Sequence, residues 1–262
     1  MSKYAPVVSL GVAKVLEAAE LYGDYHLLLA HQVLEDAEGW SKFMSSLRAK
    51  RKMTVIMDNS LIELGSPLEA DKLLQAVQIV RAEYLVLPDC LGNYLSTINR
   101  ATDAITNMHH HNLELPGYCS YLGVIQGETF QQHLECAKRL LRFDHLRALS
   151  IPRNAAQLFR SRYALTQEVW NMCKVPMHLL GFSDHLDDDL ACAKLGEAYG
   201  VMGIDSAAPV REGMFGRILN YDTYSKGCPK RPKNYLEMDP STATSPETRA
   251  NIEWIRRELN NA

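Results

Sequence analysis

A chain of 262 residues with 47% hydrophobic and 23% charged residues has an ordinary globular composition, which excludes a long disordered tract. Its length suits one large core, since α/β barrels run to about 250 residues as a single domain. A net charge of −3 excludes a general attraction to nucleic acid, so such a partner would have to be held by local basic patches.

Short β-type runs alternate with helical patterns along the chain. "APVVSL" (5–10) and "YHLLLAHQV" (25–33) read as strands, and "RAKRK" (48–52) closes a helix whose macrodipole favours cations there. "MTVIMD" (53–58) is followed by "SPLEADKLLQAVQIVRA" (66–82), with Ser66 and Pro67 as N-cap and first-turn residue. "EYLVLPD" (83–89), "SYLGVIQG" (120–127), the helix "TFQQHLECAKRLLRF" (129–143), "RALSIP" (147–152) and "PMHLLGF" (176–182) continue the series. "LDDDLACAKLGEAYG" (186–200) opens on three aspartates suited to a helix start and ends on Gly200, a C-cap residue. "VMGID" (201–205) is the last strand, and "SPETRANIEWIRREL" (245–259) is a closing helix with Ser245 as N-cap. Strand and helix repeating at this spacing predict parallel strands with helical crossovers, and eight strands predict a single-domain (β/α)8 TIM-type barrel over 1–262.

Chemistry in such a barrel sits where the strands end. Those ends hold Asp58, Asp89, Gln126 with Gly127, Pro152 with Arg153, Gly181 and Asp205. Any one Asp is explained by helix capping, but three in one ring repel one another unless a proton, a cation or a substrate lies between them. Two carboxylates can divide a substitution at an anomeric carbon, one as nucleophile and one as proton donor and later acceptor. A third beside a carboxamide can read the N–H-rich edge of a guanine-like ring.

The ordered series "DNS", "VLPDC", "GVIQG", "HLLGF" and "GIDSAAPVR" resembles the tRNA-guanine transglycosylase superfamily over about residues 54–211. The resemblance implies a barrel enzyme that exchanges guanine through a covalent Asp–glycosyl intermediate. It implies Asp205 as the nucleophile, on a D-x-x-x-P-x-R segment with Pro209 and Arg211, and Asp58 as the proton-transfer group. It also implies Asp89 on the purine N1–H and exocyclic amine, Gln126 and Gly127 on the O6 side, and Leu180 and Gly181 against the base plane.

Three departures from the family pattern bear on the polymer. No zinc module follows the catalytic strand, where Cys228 stands alone, "SIPRN" replaces a glycine pair, and "DNSLIE" replaces D-S-G-G-F-Q. The short chain without that module is more similar to the phage-type DNA 7-deazaguanine transglycosylases. That likeness implies DNA as partner, with tRNA as the alternative, and a free 7-deazaguanine base such as preQ0, serving phage protection against restriction. A basic loop over 211–233, with Arg211, Lys230, Arg231 and Lys233, is the expected grip on the nucleic-acid backbone.

The six cysteines form no CxxC pair and suggest free thiols, so neither a metal nor another cofactor is expected. No apolar run nears the roughly 20 residues of a membrane span and "MSKYAPVVSL" is no signal peptide, which predicts a cytoplasmic protein, in the host if phage-encoded, with a homodimer left open. Two readings of other classes stand beside the transglycosylase. One is a metal-dependent barrel hydrolase using His178, Asp184 and His185, and the other is a non-catalytic nucleic-acid-binding barrel.

Overall fold

Along each strand, alternate residues face opposite layers, and that period of two builds a core on each side of the sheet. In the computed structural model, which describes residues 3–66, 68–159, 161–183, 185–221 and 235–260, eight strands join in one parallel sheet. They are β1 (Lys3–Pro6), β2 (Tyr25–Leu29), β3 (Thr54–Asp58), β4 (Tyr84–Val86), β5 (Ser120–Val124), β6 (Leu146–Pro152), β7 (Met177–Leu180) and β8 (Val201–Ser206). The ladder runs from β2 in chain order to β8 and then to β1. Strands β1 and β2 lie side by side at the seam, so the sheet is a nearly closed (β/α)8 barrel.

Leu27, Leu29, Ile56, Val86, Leu122, Val124 and Ala148 fill the barrel interior. The opposite faces of the same strands, among them Leu28, Met57, Leu85, Leu149 and Ile204, pack against Leu16, Trp40, Leu47, Val77 and Ile252 of the surrounding helices. Each such side chain contributes about 1.5–3 kcal/mol on burial. The helices are α1 (Leu10–Ala18), α2 (Ala30–Glu35), α3 (Ala37–Lys50), α4 (Leu61–Leu64), α5 (Ala70–Val80) and α6 (Tyr94–His110), then α7 (Phe130–Leu140), α8 (Asn154–Phe159), α9 (Arg162–Cys173), α10 (Leu186–Lys194), α11 (Ala208–Met214) and α12 (Pro246–Asn260). Ser245 caps α12 as expected, its Oγ accepting from Thr248 N at 3.1 Å.

Several boundaries differ from those expected: the strand expected over 5–10 is Lys3–Pro6, with Leu10 already opening α1, and the helix expected over 186–200 ends at Lys194. The run 25–33 is a strand only to Leu29, and from Ala30 it turns into α2, whose face with Ala30 and Val33 is buried. The helix expected from Ser66 begins at Ala70, with Glu69 in the N-cap position, and Pro67 lies outside the described residues.

Two register shifts matter locally. In β6, Arg147 is squeezed out where Leu146 and Ala148 face successive residues of β5, and its side chain is exposed. In β8, Met202 is passed over, so that His178 of β7 stands level with Gly203. Such bulges re-aim side chains near barrel rims.

Arg162, fully buried at the start of α9, ties two strand ends together. It donates to Leu180 O at 3.0 Å, the last residue of β7, and to Gly181 O at 2.8 Å just beyond it, bonds Ile151 O of β6, and pairs with Asp189 of α10 at 2.9 Å. The three aspartates do stand in the first turn of α10, and Asp189 there also holds the loop through Ser183 N.

Candidate active site

At the strand C-termini lies a cavity of about 210 Å³. Asp58, Asn59, Glu63, Asp89, Gln126, Arg153, Leu180, Gly181 and Asp205 line it, with Leu27, Leu29 and Val86 as its apolar floor. The side-chain period explains the convergence, because Asp58 follows the inward Ile56 by two residues, and Gln126 follows Val124 by two. A wider crevice of about 870 Å³ opens at the other end of the barrel, but its charges pair with one another, as in Lys3–Asp24 at 2.7 Å and Arg51–Glu17 at 2.6 Å.

Asp205, 4% exposed, is held on one oxygen. Its Oδ1 accepts from Gly181 N and lies against His178 Nε2, each at 2.9 Å. Oδ2 has no hydrogen bond among the described residues, which leaves it as the oxygen open to a reactant. Gly181 aims its N–H from φ +70, a left-handed backbone that glycine adopts without a Cβ penalty. The other ring nitrogen of His178, Nδ1, lies 2.8 Å from Tyr25 Oη. The sequence pointed to His178 only as a residue of a metal-dependent hydrolase, and Tyr25 not at all. Both belong to the site. The available signal was that His178 stands two residues before Leu180 and so faces the same way.

Asp58 sits in a different field. Burial, with Glu63, Asp205 and Asp89 nearby, pushes its carboxyl up to about 8, against the opposing hydrogen bond from Ser60 N to Oδ2 at 2.9 Å. Asp58 therefore holds a proton at neutral pH. Burial also raises Asp89, opposed by its hydrogen bonds with Gln126 and Asn59. Gln126 Nε2 donates to Asp89 Oδ2 at 2.7 Å, while its Oε1 accepts from Gly92 N at 3.0 Å and Asn154 Nδ2 at 3.3 Å. The two groups expected to read a purine edge thus bond to each other.

Asp58, Asp89, Gln126, Leu180, Gly181 and Asp205 are brought together as expected. Gly127 is not. Its missing side chain makes room for α7, since a Cβ there would stand 2.7 Å from Gln132 Cβ and 3.0 Å from His133 N. Arg211, expected on a phosphate backbone, is 3% exposed and bonds Glu212 Oε1 at 2.6 Å through Nη2, so packing withdraws it from such a contact. Lys230, Arg231 and Lys233 lie outside the described residues, as does Asp184. Among the described residues, no three His, Cys, Asp or Glu side chains gather as a metal-ion site, and no helix is long and apolar enough to cross a membrane.

No protein-family model and no curated protein matches the chain. Solved structures do match it. A D-psicose 3-epimerase with D-tagatose from Clostridium cellulolyticum H10 has a TM-score of 0.57 at 10% identity, covering 98% of this chain and 99% of that one. A HpcH/Hpal aldolase/citrate lyase family protein from Burkholderia cenocepacia J2315 has a TM-score of 0.49 at 13% identity, covering 78% and 87%. The likeness to the epimerase, at that identity, shows the barrel fold alone.

Proposed function

We propose that this chain is a base-exchange transglycosylase that replaces guanine in DNA with a free 7-deazaguanine through a covalent Asp205–glycosyl intermediate. One observation carries the reading. Asp205 and Asp58 share one cavity, the first with an oxygen unbonded among the described residues and the second with a carboxyl raised to about 8. Carboxyl groups whose environments differ in this way suit a nucleophile and a proton donor.

In the forward step a lone pair of Asp205 Oδ2 forms the bond to the sugar C1′. The C1′–N bond breaks with its electrons going to the base, which takes the proton of Asp58. In the return step the incoming base gives its proton to Asp58 and its nitrogen bonds C1′, and the C1′–Oδ2 pair returns to Asp205. Asp89 and Gln126 would read the base edge after opening their mutual bond, and Leu180 would pack on its face. A guanine within a duplex must first leave the stack, which costs a few kcal/mol.

The choice of DNA is supported by the missing zinc module after Asp205. Incubation with radiolabelled guanine and separate DNA and tRNA tests it. Label entering DNA is the expected result, label entering tRNA alone moves the function to tRNA exchange, and label entering neither removes the base-exchange reading.

A further inference from the structure

Beneath Asp205 the apolar barrel interior holds two polar rings. Tyr25 is 1% exposed and His178 is fully buried, among Leu27, Ile56 and Ala148. Buried polar groups of this kind cost more than apolar ones unless each is bonded, so their presence calls for a use. The backbone makes room for them. A Cβ on Gly203 would stand 2.6 Å from Tyr25 Cε1, and the passed-over Met202 brings Gly203 level with His178.

The direction of each bond follows from its neighbours. The Asp205 carboxylate can only accept, so the His178 nitrogen facing its Oδ1 carries the proton, and the Tyr25 hydroxyl, whose proton burial holds in place, is left to donate to Nδ1. A neutral imidazole that accepts at Nδ1 carries its proton at Nε2, the nitrogen facing Asp205 Oδ1.

We propose that Tyr25 and His178 are positioning residues for Asp205: the phenol locks the Nε2–H tautomer of His178, and this N–H with Gly181 N pins Oδ1 so that Oδ2 faces the cavity. The attacking role of Oδ2 rests on the base-exchange reading, whereas the relay itself does not. Oδ1 becomes the ester carbonyl when Oδ2 bonds C1′ and keeps both donors throughout. When the C1′–Oδ2 bond breaks, the returning charge is met by the same two N–H groups. No proton travels along the relay.

The test has one arm independent of activity. Nitrogen-15 long-range correlation spectra of the labelled full-length protein, with the His178 signals assigned by their loss in His178→Gln, report which nitrogen carries the proton. The Nε2–H tautomer in wild type, lost or mixed in Tyr25→Phe, is expected. An Nδ1–H or cationic His178 in wild type overturns the relay, and an unchanged tautomer in Tyr25→Phe removes the tyrosine from it. The second arm uses the exchange assay. His178→Leu should lower kcat on the order of a hundredfold with KM nearly unchanged, as expected for a misplaced reacting group. His178→Gln, which can present a carboxamide N–H there, should recover part of that loss. Equal loss in Leu and Gln variants, or a loss confined to KM, contradicts positioning. A wild type that exchanges no base defeats the base-exchange reading and leaves the relay to be decided by the spectra.

Discussion

Gln126 and Asp89 are joined by a hydrogen bond of 2.7 Å between Nε2 and Oδ2, so these two polar ends of the proposed base site are engaged with each other. A guanine edge must replace that bond with its own N–H donors, and the Asp89 carboxylate is the acceptor they need. Asp89→Ala should raise KM for guanine about 10- to 100-fold, the loss of a charged hydrogen bond of roughly 1.5–3 kcal/mol, with a smaller effect on kcat. Asp89→Asn should also impair binding, because a donor replaces one acceptor. Steady-state kinetics with free guanine check this, and unchanged KM in both variants means that the base lies in another orientation.

Asp58, with its carboxyl raised from 3.8 to about 8, is protonated below that pH, as the proton donor of the proposed exchange must be. Exchange should therefore fall as pH rises through about 8. Asp58→Asn should lower the rate by about 10²–10⁴-fold, the usual worth of a general acid. The same shift has a stability consequence. A folded-state value above the unfolded one means that the stabilisation is complete below 3.8 and is lost as pH rises to about 8. Denaturant midpoints measured from pH 4 to 9 should decline in wild type over that window and less so in Asp58→Asn.

The Arg162–Asp189 pair of 2.9 Å, with neither side chain exposed, ties β6, β7 and α10 together below the cavity rim. Arg162→Ala strands a buried carboxylate and removes the donor to three carbonyls. The expected cost is about 3–5 kcal/mol in urea unfolding. A cost under about 1 kcal/mol, the value of an exposed pair, would mean that this pair does not behave as buried.

Neutralising Lys230, Arg231 and Lys233 tests the polymer grip. If these residues hold phosphates, DNA affinity should fall for all sequences, and the slope of log K against log salt should become shallower by about 0.9 for each lost contact. Turnover at saturating DNA should change far less. A triple variant with wild-type affinity and salt slope would show that this stretch is only solvated.

The barrel was legible because β-type runs and helical patterns alternate, and its rim was legible because a strand of known direction ends on a known residue. Asp58, Asp89, Gln126, Gly181 and Asp205 follow from that logic and line the cavity, together with Leu180, which the family resemblance pointed to. Gly127 and Arg211 do not line it: strand-end position says nothing of which way the residue after Gln126 turns, and the motif that pointed to Arg211 says nothing of its neighbours in α11. Gly127 serves the packing of α7, and Arg211 lies in α11, where Glu212 captures it. The relay through Tyr25 was hidden for another reason. Tyr25 and His178 are 153 positions apart, and only closure of the sheet brings β2 and β7 within reach of one interior layer.

The central claim is that Asp205 becomes covalently attached to the nucleic-acid sugar, and intact mass measurement under denaturing conditions tests it most directly. The protein is incubated with a guanine-containing DNA oligonucleotide, denatured, and weighed. The account predicts a protein–DNA adduct in wild type that peptide mapping places on Asp205, its disappearance when excess free guanine is added before denaturation, and its absence in Asp205→Asn. An adduct on another residue, or full base exchange by Asp205→Asn, would contradict it.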